Sequence, residues 1–339
     1  MPELGSGPQT CRIAQRGEGL IAVEREERLR DLLVSLGLQE TITYRMTSPE
    51  REARRLAPGT APIDRPYVRL ANPIVSDRNV LRQSLLASVL EVVERNARLR
   101  PRLALFEIAP VFFGSEDGEL PEEQPRLVIV LTGPRAQPGW QPADAGMMDF
   151  YDLKGIVEAV LDGLHLPGVR FEPGAHPTFH PGKCARVLVN DHALGLMGEL
   201  HPQVRERFES GGLRPPAGAL LAADLDLNTL LQAIPERHEV IPVPAFPPVL
   251  EDLAVVVDES VPADVVEAAM RSAGGKAVTT LRLFDVYRGQ QIENGKKSLA
   301  YSLTYQAEDR TMTDEEAAKI RQRIIRKLEQ ELNARIRSA

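Results

Sequence analysis

The sequence predicts an α+β protein in two parts, a mixed region on a largely antiparallel sheet followed by a smaller βαββαβ sandwich. Two observations carry this prediction. Up to about residue 230, apolar strand-like runs are interspersed with helical stripes, which is typical of an α+β domain. Between Ile241 and Val249, four prolines in nine residues favour a stiff extended connector and mark a domain boundary.

Composition sets the class of protein. The 339 residues are 43% hydrophobic and 26% charged, which is ordinary for a soluble globular protein. No apolar run approaches the roughly 20 residues of a membrane helix, and no signal-peptide pattern opens the chain, so no membrane is expected. Only Cys11 and Cys184 occur, which predicts a reducing cytoplasm. The net charge of −7 argues against a protein that coats nucleic acid by bulk electrostatics.

The first part begins after a predicted lead-in at residues 1–24 and occupies residues 25–235. Leucines at helical spacing from Leu29 to Leu36 predict a helix that ends at Gly37. Ile42 and Tyr44 alternate with threonines, which indicates a strand. A further helix lies between Leu81 and Leu99 and stops before a proline.

The core of this part is predicted from its most apolar segments. Residues 103–113 and 126–132 indicate strands buried in a large sheet, because they lack the polar alternation of a surface strand. Residues 150–164 carry an apolar helical stripe. Residues 185–200 predict a hairpin that turns at Asn190-Asp191, because Asn and Asp tolerate positive φ.

The second part, residues 249–339, follows a proline-rich connector at 236–248. Its strands are predicted at 250–257, 278–287, 298–305 and 335–337, with a helix at 263–273. A second helix begins at Thr313-Asp-Glu-Glu316, a capping box in which the Thr313 and Glu316 side chains satisfy free amides. This order of elements predicts a ferredoxin-like sandwich.

One face of this smaller sheet is expected to be open, because both helices cover the other. Alternation sends Phe284 and Val286 inward, together with the apolar residues of 298–305. Asp285, Tyr287 and Ser298 then lie on the open face. Basic residues rim it: Arg288, Lys296 and Lys297. An aromatic ring, hydroxyls and nearby cations suit single-stranded RNA, whereas packing on a neighbouring domain is the open alternative.

Four segments of the second part resemble a known family. They are residues 246–254 (FPPVLEDLA), 283–289 (LFDVYRG), 297–300 (KSLA) and 310–316 (RTMTDEE). They look like the anticodon-binding ferredoxin-fold domain of bacterial phenylalanyl-tRNA synthetase β subunits. Position by position, the resemblance implies anticodon contacts by Asp285, Tyr287, Ser298 and Arg337. The chain departs from the family before Asp252, where basic residues are usual.

The resemblance extends through the first part. Residues 28–44, 81–86, 105–108, 149–155, 180–183 and 198–202 look like the catalytic-like module of the same β subunits, which is similar to the class II synthetase fold. Class II active sites clamp the adenylate with an arginine that follows a strand resembling residues 106–112. Phe113 stands at that position and cannot supply bidentate donors. The resemblance therefore implies a scaffold without a catalytic site.

A metal site is weighed and not predicted. His176, His180 and Cys184 fall at i, i+4 and i+8, which superficially suggests zinc ligation. Pro177 and Pro181 rule out one continuous helix that would align them, and only one thiol is present. Trp140 lies in a predicted loop, and no function is predicted for it.

The resemblance implies a non-catalytic portion of phenylalanine-tRNA ligase. Residues 25–235 would dock on a catalytic α subunit within an (αβ)₂ heterotetramer, and residues 249–339 would bind the anticodon of tRNA(Phe). The chain itself would bind no cofactor, since ATP and Mg²⁺ are expected on α. The alternative is a stand-alone interaction module or truncated paralogue. It is motivated by chain length, because family β subunits carry long N-terminal regions.

Overall fold

The computed structural model describes residues 18–115, 120–137, 139–140, 144, 146–209, 218–238, 240 and 243–337. The chain divides between His238 and Glu239 into two compact units. The first contains a seven-stranded sheet and a separate two-stranded one, and the second contains a four-stranded sheet. The α+β class predicted from the sequence is confirmed.

Unit one consists of nine strands and six helices within the described residues. The helices are α1 (Glu18–Ser35), α2 (Pro49–Ala53), α3 (Leu85–Asn96), α4 (Phe150–Gly163), α5 (Pro202–Glu209) and α6 (Leu227–Ala233). The strands are β1 (Gln39–Glu40), β2 (Met46–Thr47), β3 (Val80–Leu81), β4 (Leu103–Phe113), β5 (Glu122–Thr132), β6 (Val169–Pro173), β7 (Phe179–Val189), β8 (His192–Leu200) and β9 (Leu220–Asp226).

The large sheet has the order β1-β4-β5-β9-β8-β7-β6, and its neighbouring strands are antiparallel except for the short parallel pair of β1 and β4. Both faces are covered. In β5, Leu127, Ile129 and Leu131 belong to one core and Val128 and Val130 to the other. This two-sided burial explains why the predicted strands are apolar at successive positions.

The hairpin predicted at residues 185–200 is confirmed. Asn190 and Asp191, with φ of 49° and 68°, form the turn between β7 and β8. Both angles are positive, as a tight two-residue turn of this kind requires.

The strand predicted around Ile42 and Tyr44 is wrong. The ladder with β4 ends when the Thr41 amide donates to the Phe106 carbonyl at 2.8 Å. The Thr43 amide then donates to the carboxylate of Glu107 at 3.1 Å rather than to a strand. Ile42 and Tyr44 are 94% and 69% exposed. The helix α1 begins at Glu18, within the segment expected to be a lead-in, and residues 1–17 lie outside the described part.

Unit two comprises β10 (Val249–Asp258), α7 (Ala263–Gly274), β11 (Val278–Tyr287), β12 (Lys296–Tyr305), α8 (Asp314–Leu332) and β13 (Arg335–Arg337). A short 3₁₀ turn, Gly275–Ala277, joins α7 to β11. The antiparallel order β11-β12-β10-β13 is that of a ferredoxin-like sandwich. The predicted capping box is present, since Thr313 and Glu316 each accept from the other's backbone amide.

Candidate nucleic-acid interface

The face of the four-stranded sheet away from α7 and α8 is termed the open face. Inward residues of β12, such as Tyr301 and Leu303, are fully buried in the core with α7 and α8. Cross-strand pairing places the alternate residues together on the open face. Its members are Leu250, Asp252, Ala254, Val256, Thr280, Arg282, Asp285, Tyr287, Ser298, Ala300, Ser302, Thr304, Arg335 and Arg337.

The structure brings all four predicted anticodon residues onto neighbouring rows of this face. Tyr287 pairs with Ser298 across β11 and β12, and Asp285 pairs with Ala300 in the next row. Arg337 lies in that second row, and its guanidinium carbon is 5.3 Å from the centroid of the Tyr287 ring. Ser298 is only 3% exposed, whereas Ala300, Ser302 and Thr304 on the same face of β12 are half-buried.

The turn after β11 fixes the Tyr287 ring. A Cβ atom at Gly289 would lie 2.5 Å from the Tyr287 hydroxyl oxygen, so this turn approaches the phenol as only glycine can. Gln291, in the same turn, accepts a hydrogen bond from the Arg337 guanidinium. The same turn therefore contacts the Tyr287 ring through Gly289 and the Arg337 guanidinium through Gln291.

Phe284 and Val286 are not in the core, contrary to prediction. The ladder between β11 and β12 shifts register between Leu283 and Asp285, so Phe284 is the extra residue of a β-bulge and is 53% exposed. Val286 keeps an inward register opposite Leu299 but is 40% exposed on an edge strand. Leu283 packs on the core instead.

The predicted basic rim is only partly available. Arg288 forms a bidentate pair with Glu259, with Nη2 to Oε1 at 2.7 Å, and Lys296 pairs with Glu293 at 3.1 Å. The Arg288 guanidinium lowers the pKa of Glu259, and Lys296 lowers that of Glu293. The prediction that Lys297 belongs to the exposed rim is wrong. This residue is 9% exposed, lies at an inward position of β12 and donates a hydrogen bond to the Glu259 carbonyl at 2.9 Å.

Sequence reasoning missed two cations on the open face. Arg282 pairs with Ser302, and Arg335 pairs with Val256, and both are exposed. Arg335 also forms an ion pair with Glu293 at 2.8 Å. Alternation around the inward-facing Ile336 was the available signal. With Arg337, these side chains add positive charge to a face that carries Asp252 and Asp285.

In unit one, Phe113 lines a cavity of about 280 Å³ and is 7% exposed, with the Arg65 guanidinium 4.3 Å above its ring. His176, His180 and Cys184 belong to no group of three or more potential metal ligands among the described residues. Instead, His176 and His180 each accept a backbone amide through Nδ1, at 3.2 and 3.0 Å. Cys184 is buried, which raises the pKa of its thiol.

Within the described ranges, the helices are all too short or too polar to cross a membrane. Trp140 is 91% exposed.

Two family models match the chain. Residues 11–214 match the phenylalanyl tRNA synthetase beta chain CLM domain, and residues 244–337 match the ferredoxin-fold anticodon binding domain. The sequence is similar to proteins named phenylalanine–tRNA ligase beta subunit. That of Symbiobacterium thermophilum is 40% identical over 96% of this chain and 35% of its own length. That of Syntrophotalea carbinolica is 39% identical over 92% and 38%, and that of Moorella thermoacetica is 40% identical over 92% and 38%.

The chain thus spans between a third and two fifths of the length of these curated relatives. The two family matches follow one another along it, and the first of them alone covers more than half of the residues. The chain belongs to the phenylalanyl-tRNA synthetase β chain family.

Proposed function

We propose that this chain is a non-catalytic portion of a phenylalanine-tRNA ligase β subunit, in which unit two binds the anticodon of tRNA(Phe) and unit one docks on a catalytic α subunit. The observation that carries the proposal is the open face, where Tyr287 and Arg337 lie together beside Asp285 and Ser298. The working enzyme would be a cytoplasmic (αβ)₂ heterotetramer, with ATP and Mg²⁺ bound by α and no cofactor bound by this chain.

The chemistry of the open face supports anticodon recognition. An unpaired base can stack on the Tyr287 ring, and the Asp285 carboxylate can accept from a base amino group. The guanidinium of Arg337 can hold a phosphate or stack on a base plane. Arg335 and Lys296 are paired with the exposed Glu293, and these surface pairs can be exchanged for phosphate contacts at little cost.

The first prediction concerns Tyr287. Tyr287→Ala removes the stacking ring and should weaken tRNA(Phe) binding by about 1–3 kcal/mol, the usual worth of one stacked base. Tyr287→Phe should retain most of the affinity. A filter-binding titration with the full chain measures both, and Tyr151→Ala serves as the control because Tyr151 is equally aromatic and 76% exposed in unit one. Unchanged affinity in Tyr287→Ala would sink the anticodon assignment.

Unit one has an apolar surface suited to a protein partner. Ile42, Tyr44, Ile74 and Val75 are 94%, 69%, 95% and 47% exposed. Arg78 joins their two segments, since its guanidinium carbon is 5.6 Å from the Tyr44 ring and its amide donates to the Val75 carbonyl at 3.2 Å. Such a set of exposed apolar side chains is typical of a protein interface. It is termed the Ile42–Ile74 surface.

The second prediction concerns docking. Co-expressed with the α subunit of the same cell, the full chain should form a stoichiometric complex, and Ile42→Asp with Ile74→Asp should abolish it because charges would be buried at the interface. Leu120→Asp is the control, since Leu120 is 92% exposed elsewhere in unit one. Light scattering after size exclusion measures the stoichiometry. A wild-type chain that fails to bind α would favour the stand-alone interaction module.

A further inference from the structure

The cavity that Phe113 lines has an unusual electrostatic feature. Its volume of about 280 Å³ lies near the lower end of small-molecule pockets, which are about 300–1,000 Å³. Much of its wall is apolar, contributed by Leu85, Val111, Phe113 and Phe179. Arg55 also lines it and is only 8% exposed.

The Arg55 guanidinium is almost unpartnered. Within the part of the chain that the structure describes, it makes a single hydrogen bond, from Nη1 to the Thr178 hydroxyl at 3.5 Å, and its buried Nε has no acceptor. A guanidinium has five N–H donors, so four go unused. Buried charges are ordinarily paired or hydrogen-bonded, because removing them from water is costly otherwise.

The neighbouring carboxylates form hydrogen bonds with groups other than Arg55. Glu52 accepts from two backbone amides at 2.7 and 3.0 Å and from the Tyr67 hydroxyl at 3.0 Å. Asp224, which lines the cavity, accepts through Oδ1 from Nε and Nη2 of Arg126 at 2.9 and 2.7 Å, and its Oδ2 takes part in neither bond. Neither carboxylate lies within 4.0 Å of a nitrogen of Arg55, since the described ion pairs include none with that residue.

The remaining titratable group on the cavity wall does not change this balance. Burial lowers the pKa of His176, and the Arg55 charge lowers it further, so the ring is neutral at pH 7. The cavity therefore combines apolar walls with the buried guanidinium of Arg55, which forms no ion pair among the described residues.

We propose that this cavity binds a small apolar carboxylate, with its carboxylate paired to Arg55 and its hydrocarbon body against Val111, Phe113 and Phe179. A carboxylate matches the planar fork of a guanidinium and can accept two parallel N–H bonds. The site is independent of the open face of unit two.

Isothermal titration of the full chain with 3-phenylpropionate tests the proposal. Saturable one-to-one binding is expected, with the neutral 3-phenylpropionamide at least about tenfold weaker, a difference of about 1.4 kcal/mol. Inorganic phosphate should not compete. Equal binding of acid and amide would overturn the role of the charge. Tighter binding of phosphate than of the acid would overturn the carboxylate assignment, as would the absence of saturation.

Two variants separate the site from general stability. Arg55→Met should abolish binding of 3-phenylpropionate, and Val111→Phe should block it by filling the cavity while leaving Arg55 in place. Arg95→Met is the control, because its side chain is 62% exposed on α3 and lies outside the cavity. Melting curves establish that each variant folds. Retained affinity in a folded Arg55→Met or Val111→Phe variant would refute the site.

Discussion

At the scale of single residues, unit one encloses a charged pair in its interior. Arg82 and Glu107 are 1% and 2% exposed in their side chains, and their nearest charged atoms are 3.3 Å apart. Arg82 also donates to the Thr43 hydroxyl at 2.7 Å and to the Pro110 carbonyl at 3.0 Å. Burial lowers the pKa of Arg82, and the charge of Glu107 opposes this shift. Glu107 also accepts hydrogen bonds from the amide and the hydroxyl of Thr43, so this residue does not continue the strand β1.

The third prediction follows from this pair. Arg82→Met leaves the Glu107 charge buried and uncompensated and should lower the free energy of unfolding by about 3–5 kcal/mol. The double variant Arg82→Met, Glu107→Met should lose less, because no lone charge remains. Urea denaturation of the full chain, followed by a spectroscopic signal from unit one, measures the free energy of unfolding of both variants. Arg186→Met is the control, since its pair with Glu172 is about half exposed and should be worth about 0–1 kcal/mol. If Arg82→Met lowered the free energy of unfolding no more than Arg186→Met does, a large cost of the unpaired Glu107 charge would be excluded.

Arg55 shows what a sequence conceals at this scale. The residue follows a short charged helix and is indistinguishable from a solvated arginine in the sequence. In the fold it is buried, and its hydrogen-bond partner Thr178 lies more than a hundred positions away. By contrast, Asp285 and Tyr287 could be placed on the open face from alternation, because the strand they pair with, β12, follows shortly after them in the same small unit.

At the scale of elements, local signals predict well where local physics decides. The helix α8 begins at Asp314 because Thr313 and Glu316 cap it, and its buried residues Ala317, Ile320, Ile324 and Leu328 recur at helical spacing. The strand predicted at Ile42 and Tyr44 is wrong because the buried carboxylate of Glu107, distant in sequence, accepts the hydrogen bond of a backbone amide that would otherwise pair with a neighbouring strand. The bulge at Phe284 likewise leaves no mark on the alternation of polar and apolar residues.

The fourth prediction concerns the cap of α8. Hydrogen bonds from Arg310 and from the Thr313 amide hold the pKa of Glu316 at about 2, below its usual 4.5. A depressed carboxyl pKa stabilises the fold fully above the unfolded value and loses that contribution as pH falls through the folded value. Glu316→Gln should therefore lower the melting temperature of unit two at pH 7, and the difference from wild type should shrink between about pH 4.5 and 2.

Thermal scans across pH check this expectation. Glu315→Gln is the matched control, because Glu315 lies in the same first turn but outside the capping box. A melting difference for Glu316→Gln that stayed constant down to pH 2 would show that the carboxylate charge is not responsible.

At the scale of the whole molecule, the two units have separate interiors. The cores of unit one lie on the two faces of its large sheet, and the core of unit two lies between its sheet and the helices α7 and α8. No residue of unit two belongs to the cores described for unit one. Each unit is thus equipped to fold by itself, which suits a chain whose proposed docking and recognition surfaces lie in different units.

The fifth prediction tests this independence. Residues 243–339 expressed alone should give a dispersed NMR spectrum and one cooperative thermal transition, because about 100 residues with their own core are enough for a domain. The transition should coincide with that of unit two in the full chain. A collapsed spectrum or a gradual melt would show that unit two depends on unit one.

Because β11 contains a bulge at Phe284, the effect of deleting one residue from this strand depends on which residue is lost. Phe284 is supernumerary in the ladder, so losing its codon would leave Asp285 opposite Ala300 and Tyr287 opposite Ser298. Losing the codon of Val286, two positions later, would bring Tyr287 opposite Leu299 and turn its ring into the core. Two in-frame deletions of the same size would therefore differ in effect: one keeps Tyr287 on the open face, and the other turns it inward.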